Sequence, residues 1–340
     1  MSRDRGPRRP RSLDRRVPRL DRRVLMAATA LALSLTASGC VVVHGERVVL
    51  PSTTRAEAAK ALQQFTAAYN KADAAYDSSL DADHVTGALG DIDAARLKAG
   101  HANSPSGNAA HTPLEFSDVT YTIPEKAGWP RWFVAEAQGN KGGTSHWLMV
   151  FTRHGLHETW QVAYLTLIAP NALPEIKKNA AGWAENVPAN PPELAVPPGE
   201  LSKDYATYLK SGGQTFAAGP HTDQWRAQRQ KAGKRPGLTT QYIDEPLTDG
   251  DYAPLALRTE DGGALVFFTT RRYEKQTAFT GTSIPTPNAN VQALTTGEIK
   301  QSLTMEFMSN GVAVDPVKGA SNDKVSIVSR LEGLTSAEGG

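Results

Sequence analysis

The sequence predicts an α+β protein with two tandem domains, each a helical stretch followed by an antiparallel sheet, behind an amino-terminal export signal. An amphipathic helical stripe over residues 54–76 precedes strand-like runs within 114–168. A proline-rich stretch, 170–200, interrupts the periodicity, and the same order of elements then returns. The predicted divisions are 1–39 (signal peptide), 40–53 (membrane-proximal segment), 54–169 (first α+β domain), 170–200 (linker) and 201–336 (second α+β domain).

The first 39 residues have the composition of an export signal. Residues 1–23 hold ten arginines and three aspartates, and the run from Leu25 to Ser38 carries no charge. That run is shorter than the roughly 20 apolar residues that a bilayer span needs. A basic region followed by a short apolar core is typical of a cleaved signal peptide.

The run leads to Cys40, the one cysteine of the 340-residue chain. Ala37-Ser38-Gly39-Cys40 resembles the lipobox of bacterial lipoproteins, although that family usually has leucine where Ala37 stands. The resemblance implies that the Cys40 thiol receives a diacylglyceryl group and that the signal is cut just before it. Two or more acyl chains hold a protein on a membrane, whereas one chain binds only marginally. The alternative is ordinary secretory cleavage with Cys40 incidental.

The export route stays open between two possibilities. Asp21-Arg22-Arg23-Val24-Leu25-Met26 resembles a twin-arginine signal, although that family prefers serine or threonine where Asp21 stands. Further arginine pairs in the same stretch fit the general secretory route equally well. On either route the expected location is the outer face of the cell membrane, with the lipid on Cys40 as anchor.

The mature chain is acidic although the full sequence is not. Without residues 1–23 the chain has 27 Lys+Arg against 32 Asp+Glu, so no basic balance favours nucleic acid as a partner. Acylation of Cys40 would leave no thiol for a disulfide, a nucleophile or a zinc site.

The first domain begins with a helix and continues with strands. Thr54 and Glu57 have the spacing of a capping box. The apolar stripe behind them is Ala58, Leu62, Phe65, Tyr69, Ala72 and Tyr76. A weaker helical segment covers 91–98, and the predicted strands are 114–123, 131–138, 146–153 and 158–168.

Two of these strands, 146–151 and 160–168, are apolar on both faces. A sheet with one wet face would alternate, so this sheet should be covered on both sides. We expect the helix on one side and the second domain on the other. The strand-like run 264–268 offers a complementary surface, because it too is apolar on both faces, with Leu265 and Phe267 on one and Val266 and Phe268 on the other.

The second half repeats the order of the first. Helical segments are predicted at 202–211 and 221–232, and strands at 238–244, 252–259, 264–273, 299–309 and 324–334. A Gly-Gly turn leads into a strand both at GGTSHWLMVFTR (142–153) and at GGALVFFTTRR (262–272). Because the match is short, unrelated hairpins remain an alternative to a tandem repeat.

This order of elements resembles the NTF2-like cone, in which a curved sheet wraps a helix and leaves a pocket. More closely, the stretches VVLPSTTRAEAAKALQQFTAAYNKADAAYD and HVTGALGDIDAARLKAGHANSP look like a family of actinobacterial lipoproteins of unknown function. The resemblance extends over most of the chain. It implies no reaction, cofactor or catalytic residue.

The sequence offers one candidate pocket and no assembled catalytic group. Aromatic side chains of the first helix and sheet would line the interior of a cone; they are Phe65, Tyr69, Trp132, Trp147, Trp160 and Tyr164. Plain core packing is the alternative for all six. His146, His154 and His157 lack the spacing of a zinc site, and we expect neither a metal nor another cofactor.

The resulting prediction is a membrane-anchored lipoprotein that binds an envelope protein or a small apolar ligand without catalysis. An isomerase- or dehydratase-like enzyme in a cone pocket is one alternative. A structural role in envelope assembly is another. Carboxylates and histidines that point into a cavity would favour the enzyme.

Overall fold

Two β-sheets, of four and ten strands, organise the chain, so the α+β class is confirmed. The computed structural model describes residues 49–340. The signal peptide, Cys40 and most of the membrane-proximal segment lie outside the described residues.

Five α-helices are present in the described part of the chain. They are α1 (Arg55–Ala75), α2 (Gly87–Asn103), α3 (Pro198–Ser211), α4 (Asp223–Ala232) and α5 (Ala289–Leu294). Short 3₁₀ turns lie at Ser78–Leu80 and Gly250–Tyr252. Among residues 49–340, no helix combines the length and the hydrophobicity that a membrane crossing requires.

The strands number fourteen in the described residues, and four of them form the small sheet. These four are β2 (Phe116–Thr122), β4 (Arg131–Gly139), β5 (His146–Arg153) and β6 (Gln161–Ile168). They lie side by side in chain order and are antiparallel throughout. Gly142 and Gly143, at φ +96° and +67°, make the turn between β4 and β5 that the sequence predicts.

The large sheet is assembled around one long strand. Its strands are β1 (Leu50–Pro51), β3 (Pro124–Lys126), β7 (Ala184–Val187), β8 (Lys234–Arg235), β9 (Leu238–Leu247), β10 (Leu255–Arg258), β11 (Ala264–Ala278), β12 (Thr295–Thr296), β13 (Ser302–Asp315) and β14 (Ser326–Gly339). On one side β11 pairs first with β10 and then with β9, and on the other side with β13. β11 is therefore hydrogen-bonded on both edges along almost its whole length.

Helix α1 begins where the sequence predicts. The Thr54 hydroxyl accepts a hydrogen bond from the Glu57 backbone N–H at 3.1 Å, which satisfies one free donor of the first turn. The helix ends at Tyr76, whose φ of +53° reverses the chain. Its buried stripe packs on the small sheet; the buried members are Ala58, Ala61, Leu62, Phe65, Ala68 and Ala72.

The elements stack in four layers, namely α1, the small sheet, the large sheet and α3. Phe65 of α1 packs with Phe133 and Phe151 on one face of the small sheet. The large sheet's other face packs against Leu201 and Tyr205 of α3. Each sheet is thus sandwiched between two neighbours.

The two sheets share a core, as predicted. Leu148 and Val150 of the small sheet pack against Leu265, Phe267 and Val312 of the large one. The prediction that the second half of the chain covers the second face of the first sheet is confirmed, and of the two apolar faces of 264–268 it is the one with Leu265 and Phe267 that makes the contact. Val266 and Phe268 point to the opposite face, toward α3.

The sheets do not divide where the predicted domains divide. Strands β1 and β3, from the first half, extend the edge of the large sheet. They are joined to it by β7, which lies within the predicted linker 170–200. The division into 54–169 and 201–336 remains a prediction, because a shared core does not show whether either half folds alone.

Helix α2 is longer than the predicted 91–98 and packs across the far end of the sheets. Its residues lie against β6, β13, β14 and α5. Gly333 of β14 leaves room for the Ile92 side chain, since a Cβ at that position would clash with it. A residue from the first third of the chain is therefore fitted against one of the last strands.

Candidate functional site

A groove lies between α1 and the edge strand β2, with a volume of about 370 Å³. Ligand sites in proteins are typically concave, largely apolar and on the order of 300–1,000 Å³. Small and apolar side chains line this groove, together with two amides; the lining residues are Ala59, Leu62, Gln63, Thr66, Ala67, Asn70, Phe116 and Val119. Its volume falls within that range, although it is a shallow depression that is widely open to solvent, and its lining is more apolar than polar.

Two asparagines fix the strand that forms one wall of the groove. The Asn70 side chain of α1 donates to the Leu114 carbonyl at 2.9 Å and accepts from the Leu114 N–H at 2.7 Å. Asn140 binds the same segment, donating to the Pro113 carbonyl and accepting from the Glu115 N–H. Residues 113–115, which lead into β2, are thereby held by side-chain hydrogen bonds and not by pairing with a neighbouring strand.

The outer edge of β2 is irregular. The register with β4 shifts between Ser117 and Thr120, and Asp118 adopts a left-handed φ of +50°. Bulges of this kind interrupt an edge and oppose pairing with another strand. The groove is consequently open to a small molecule, while its β2 wall is poorly shaped for the addition of an extended peptide.

Four of the six predicted pocket residues lie on the face of the small sheet that meets α1. Phe65, Trp147 and Trp160 are at most 8 % exposed, and Tyr69 packs against them. Phe65 and Tyr69 have ring centroids 5.6 Å apart. These rings pack against one another, with Phe133 and Phe151 stacked at 4.6 Å in the same cluster.

Trp132 and Tyr164 lie on the opposite face of the small sheet, in the core shared with the large sheet. The Trp132 indole donates to the Asn186 side-chain oxygen at 3.0 Å, and the Tyr164 hydroxyl donates to the Ala253 carbonyl at 2.8 Å. The six aromatic residues therefore do not surround one cavity. Successive residues of a strand face opposite sides, so Trp132 could not share a face with Phe133.

A network of buried carboxylates and the partly exposed Arg96 connects α1 and α2. The Arg96 guanidinium contacts Asp73 at 2.5 Å and Asp93 at 2.8 Å. His111 lies 2.7 Å from the other oxygen of Asp73. Within residues 49–340, neither carboxyl oxygen of the fully buried Asp81 receives a hydrogen bond from an N–H or hydroxyl donor.

The environment shifts the pKa of several of these groups. Burial raises the pKa of Asp81 to about 8, and hydrogen bonding to Asp93 and its charge add to the effect. Burial also pushes the pKa of Asp73 upward, but hydrogen bonds from His111 and Arg96 outweigh it and hold that pKa below its usual value. Burial likewise raises the pKa of Tyr69 to about 12. Shifted pKa values accompany both catalytic sites and structural ion pairs.

The solvent exposure of the carboxyl groups distinguishes a catalytic site from a structural network of ion pairs. Asp81 is 1 % exposed and Asp93 3 % exposed, so their carboxyls are packed inside the protein. A general acid or base must come within hydrogen-bond reach of its substrate. The geometry accordingly supports a structural role for the network.

The three histidines considered as zinc ligands do not meet at one point. His146 pairs with Glu136 at 2.7 Å, and His154 pairs with Asp251 at 2.8 Å, while His157 is exposed. Within residues 49–340, no three His, Cys, Asp or Glu side chains are grouped as a metal ion would require.

The groove itself was not predicted. Apart from Leu62, its helix wall consists of side chains that are small or polar and give no aromatic signal, namely Ala59, Gln63, Thr66, Ala67 and Asn70. A usable signal was present in their spacing, because positions 59, 63, 66 and 70 recur at helical steps beside the buried stripe. A row of small residues next to an apolar stripe leaves a trough on the helix surface.

Comparison with known proteins finds one matching family, of unknown function, and several related lipoproteins. The family described as "Domain of unknown function (DUF8094)" matches residues 49–339. An uncharacterized lipoprotein of Streptomyces coelicolor, SCO2278, is 68% identical over 339 residues, covering 100% of both chains. An uncharacterized lipoprotein of Streptomyces avermitilis is 54% identical over the same length and coverage.

A more distant relative is a second uncharacterized lipoprotein of Streptomyces coelicolor, SCO6871. It is 27% identical over 218 residues, which is 62% of this chain and 59% of the relative. No solved structure matches the chain.

Proposed function

The chain belongs to the DUF8094 family and has lipoproteins of Streptomyces as homologues, and on this premise we propose that it is a lipid-anchored protein that binds a small apolar ligand. The lipid is attached to Cys40, and the body lies at the outer face of the cell membrane. The groove between α1 and β2 receives the ligand. The proposal combines the lipoprotein family with one geometric observation, the groove.

The anchor is supported by the sequence around Cys40 and by the names of the relatives. Acyl chains contribute about 0.8 kcal/mol per buried methylene, so two or three chains hold the protein on a bilayer almost permanently.

Replacement of Cys40 tests this anchor. Cys40→Ala should leave the protein unprocessed or released into the medium, because the thiol that carries the lipid is absent. Cell fractionation with immunoblotting measures the distribution, and mass spectrometry measures the mass of the amino-terminal peptide. An unmodified Cys40 in membrane-purified wild-type protein would contradict the anchor.

The apolar ligand is supported by the lining of the groove. Leu62, Phe116 and Val119 supply apolar surface, and Gln63 is an exposed amide that can contact a polar head group. The Thr66 hydroxyl is already bonded to the Leu62 carbonyl at 2.7 Å and presents its methyl group instead. The groove thus favours an aliphatic ligand with one polar end.

Binding of cis-parinaric acid, a fluorescent fatty acid, tests the groove. The protein used begins at residue 41, so that no attached acyl chain competes for the site. Ala67→Trp fills the groove from α1 and should weaken binding at least about tenfold, which corresponds to about 1.4 kcal/mol. Gln64→Trp, on an exposed position of α1 that does not line the groove, is the matched control.

Two results would contradict the proposal. The first is that wild-type protein does not enhance parinaric acid fluorescence. The second is that Ala67→Trp and Gln64→Trp bind equally well, which would place the ligand elsewhere. Thermal unfolding of both variants shows whether the fold is retained.

The alternatives named from the sequence are less well supported by the geometry. An enzyme of the isomerase or dehydratase kind would use carboxylates that reach a substrate, whereas Asp81 and Asp93 are enclosed. A purely structural role in envelope assembly needs no groove. An NTF2-like cone remains a hypothesis about descent, with the helix-on-sheet arrangement of α1 and the small sheet as its support.

A further inference from the structure

Four exposed apolar side chains lie at one end of the small sheet. The exposed fraction of the residue is 56 % for Val49, 51 % for Leu50, 44 % for Trp129 and 68 % for Leu156. Large apolar side chains are usually buried, so such a group on one side of a protein points to a contact surface. We name these four residues the apolar end.

Strand register and one hydrogen bond bring the backbone at these positions to the same end of the small sheet. Arg131 at the start of β4 pairs with Arg153 at the end of β5, so the turn before β4 and the turn after β5 emerge at the same end of the sheet. Trp129 lies in the first turn and Leu156 in the second. The Arg131 guanidinium donates to the Leu50 carbonyl at 3.0 Å, which brings the described amino terminus to the same place.

The tether reaches the body at this end. Val49 stands nine positions after Cys40 in the sequence. Because an extended chain spans at most about 3.6 Å per residue, Val49 stays within about 32 Å of a lipidated Cys40. The apolar end therefore includes the point at which the nine-residue tether from Cys40 joins residues 49–340.

The chemistry of the apolar end suits a lipid headgroup region. Tryptophan is enriched at membrane interfaces, where its ring contacts acyl chains and its indole N–H stays hydrated. The guanidinium carbons of Arg131 and Arg153 lie 5.9 and 5.8 Å from the Trp129 ring centroid. Arg153 is paired with Glu57 at 2.8 Å, so its charge is balanced within the protein.

We infer that the apolar end docks on the bilayer surface, with Trp129 and Leu156 inserted among the lipid headgroups and Val49 and Leu50 beside them. The inference rests on the proposed lipid anchor and goes beyond it, because it fixes which end of the body faces the membrane. The groove between α1 and β2 is not part of this surface. The attachment is mainly apolar and should withstand high salt.

Quenching by brominated lipid tests the docking. Full-length lipidated protein is reconstituted in phosphatidylcholine vesicles, with or without bromine on the acyl chains. Bromine quenches tryptophan only at short range, so wild-type emission should fall in the brominated vesicles. Trp129→Ser should abolish most of that fall, since the other five tryptophans are buried or half-buried.

Matched controls separate insertion at the apolar end from the general loss of an exposed apolar side chain. Ile243→Ser removes a side chain that is 54 % exposed on the large sheet, and its quenching should equal that of wild type. Leu156→Ser, at the apolar end, should weaken the quenching of Trp129. Quenching that disappears in high salt would contradict an apolar attachment.

The outcomes separate the anchor from the docking. Wild-type protein that stays on the vesicles with unquenched Trp129 overturns the docking and leaves the anchor intact. Loss of wild-type protein from the vesicles contradicts both. Protection of Trp129 from chemical oxidation in intact cells but not on pure lipid vesicles would assign the apolar end to a protein partner, which also overturns the inference.

Discussion

Glu57 accepts three hydrogen bonds, and two of them link the first helix to the small sheet. Its carboxylate accepts from the Thr53 hydroxyl at 2.8 Å, from Arg153 at 2.8 Å and from the Trp160 indole at 3.1 Å. Burial pushes its pKa upward, but these donors outweigh burial and hold the pKa of Glu57 below its usual value. The predicted capping box is thus half correct, because Thr54 caps the helix while Glu57 serves the sheet.

Asp81 carries the clearest pH dependence among the single residues. Its pKa in the folded protein is about 8, so the proton is held to about that pH, whereas in an unfolded chain it is lost near 3.8. Between these values the folded state binds more protons than the unfolded state. The contribution of Asp81 to the free energy of unfolding therefore falls as pH rises through this interval. Above about pH 8 the cost of keeping an ionised carboxylate buried applies in full.

Asp81→Asn should remove this penalty. The amide cannot ionise, and it can donate to Asp93 as the protonated carboxyl does. We expect a gain in the free energy of unfolding on the order of 1–3 kcal/mol at pH 8, shrinking toward pH 4. Urea denaturation at a series of pH values measures it.

Asp83→Asn, two positions away on an exposed residue, is the control and should change stability little at any pH. If wild type were the more stable protein at pH 8, the buried carboxyl would have a compensating donor and the interpretation would be wrong.

Among the secondary-structure elements, those with a strong period were predictable and those without one were not. The strand at 146–153 has the predicted bounds, and α1 differs from 54–76 by one residue at each end. Strands β3 and β7 have three and four residues, too few to show a period, and they were missed. Because β7 is too short to show a hydrophobic period, the sequence does not indicate that the linker 170–200 contains part of a sheet.

The apolar second face of the small sheet leads to a testable consequence. Trp132, Leu148, Val150 and Tyr164 are all at most 4 % exposed because the large sheet covers them. Burying each such side chain contributes on the order of 1.5–3 kcal/mol. A chain that ends near residue 185 should be poorly soluble or dimeric, as measured by light scattering and analytical ultracentrifugation.

Two controls accompany the shortened chain. The full mature chain without lipid should be monomeric. Val150→Lys within the shortened chain should restore solubility, because it places a charge on the uncovered face. A soluble, monomeric chain without this change would show that the first half folds and covers itself, as independent tandem domains require.

At the scale of the whole molecule, the candidate site shows the limit of reasoning from residue type. Aromatic residues mark the cores correctly, but the six that the sequence offers as one candidate pocket divide between the two faces of the small sheet, since Trp132 and Tyr164 face the large sheet. The groove is defined by small side chains and by the way in which Asn70 holds the approach to β2. The spacing of positions 59, 63, 66 and 70 can indicate the helix wall, but the groove also depends on where β2 lies against that wall, and no local pattern contains this placement.

The position of β14 affects how the chain can be completed during synthesis. Residues 326–339 pair with β13, and Leu331 packs against the core beneath α1, while Gly333 receives Ile92 of α2. A polypeptide emerges from a ribosome or a translocation pore with its amino end first. The segments that form α1 and α2 therefore emerge long before β14, which is the last strand to pack against them. The apolar faces of α1 and α2 stay partly exposed until residues 326–339 have emerged, and the core cannot be completed before then.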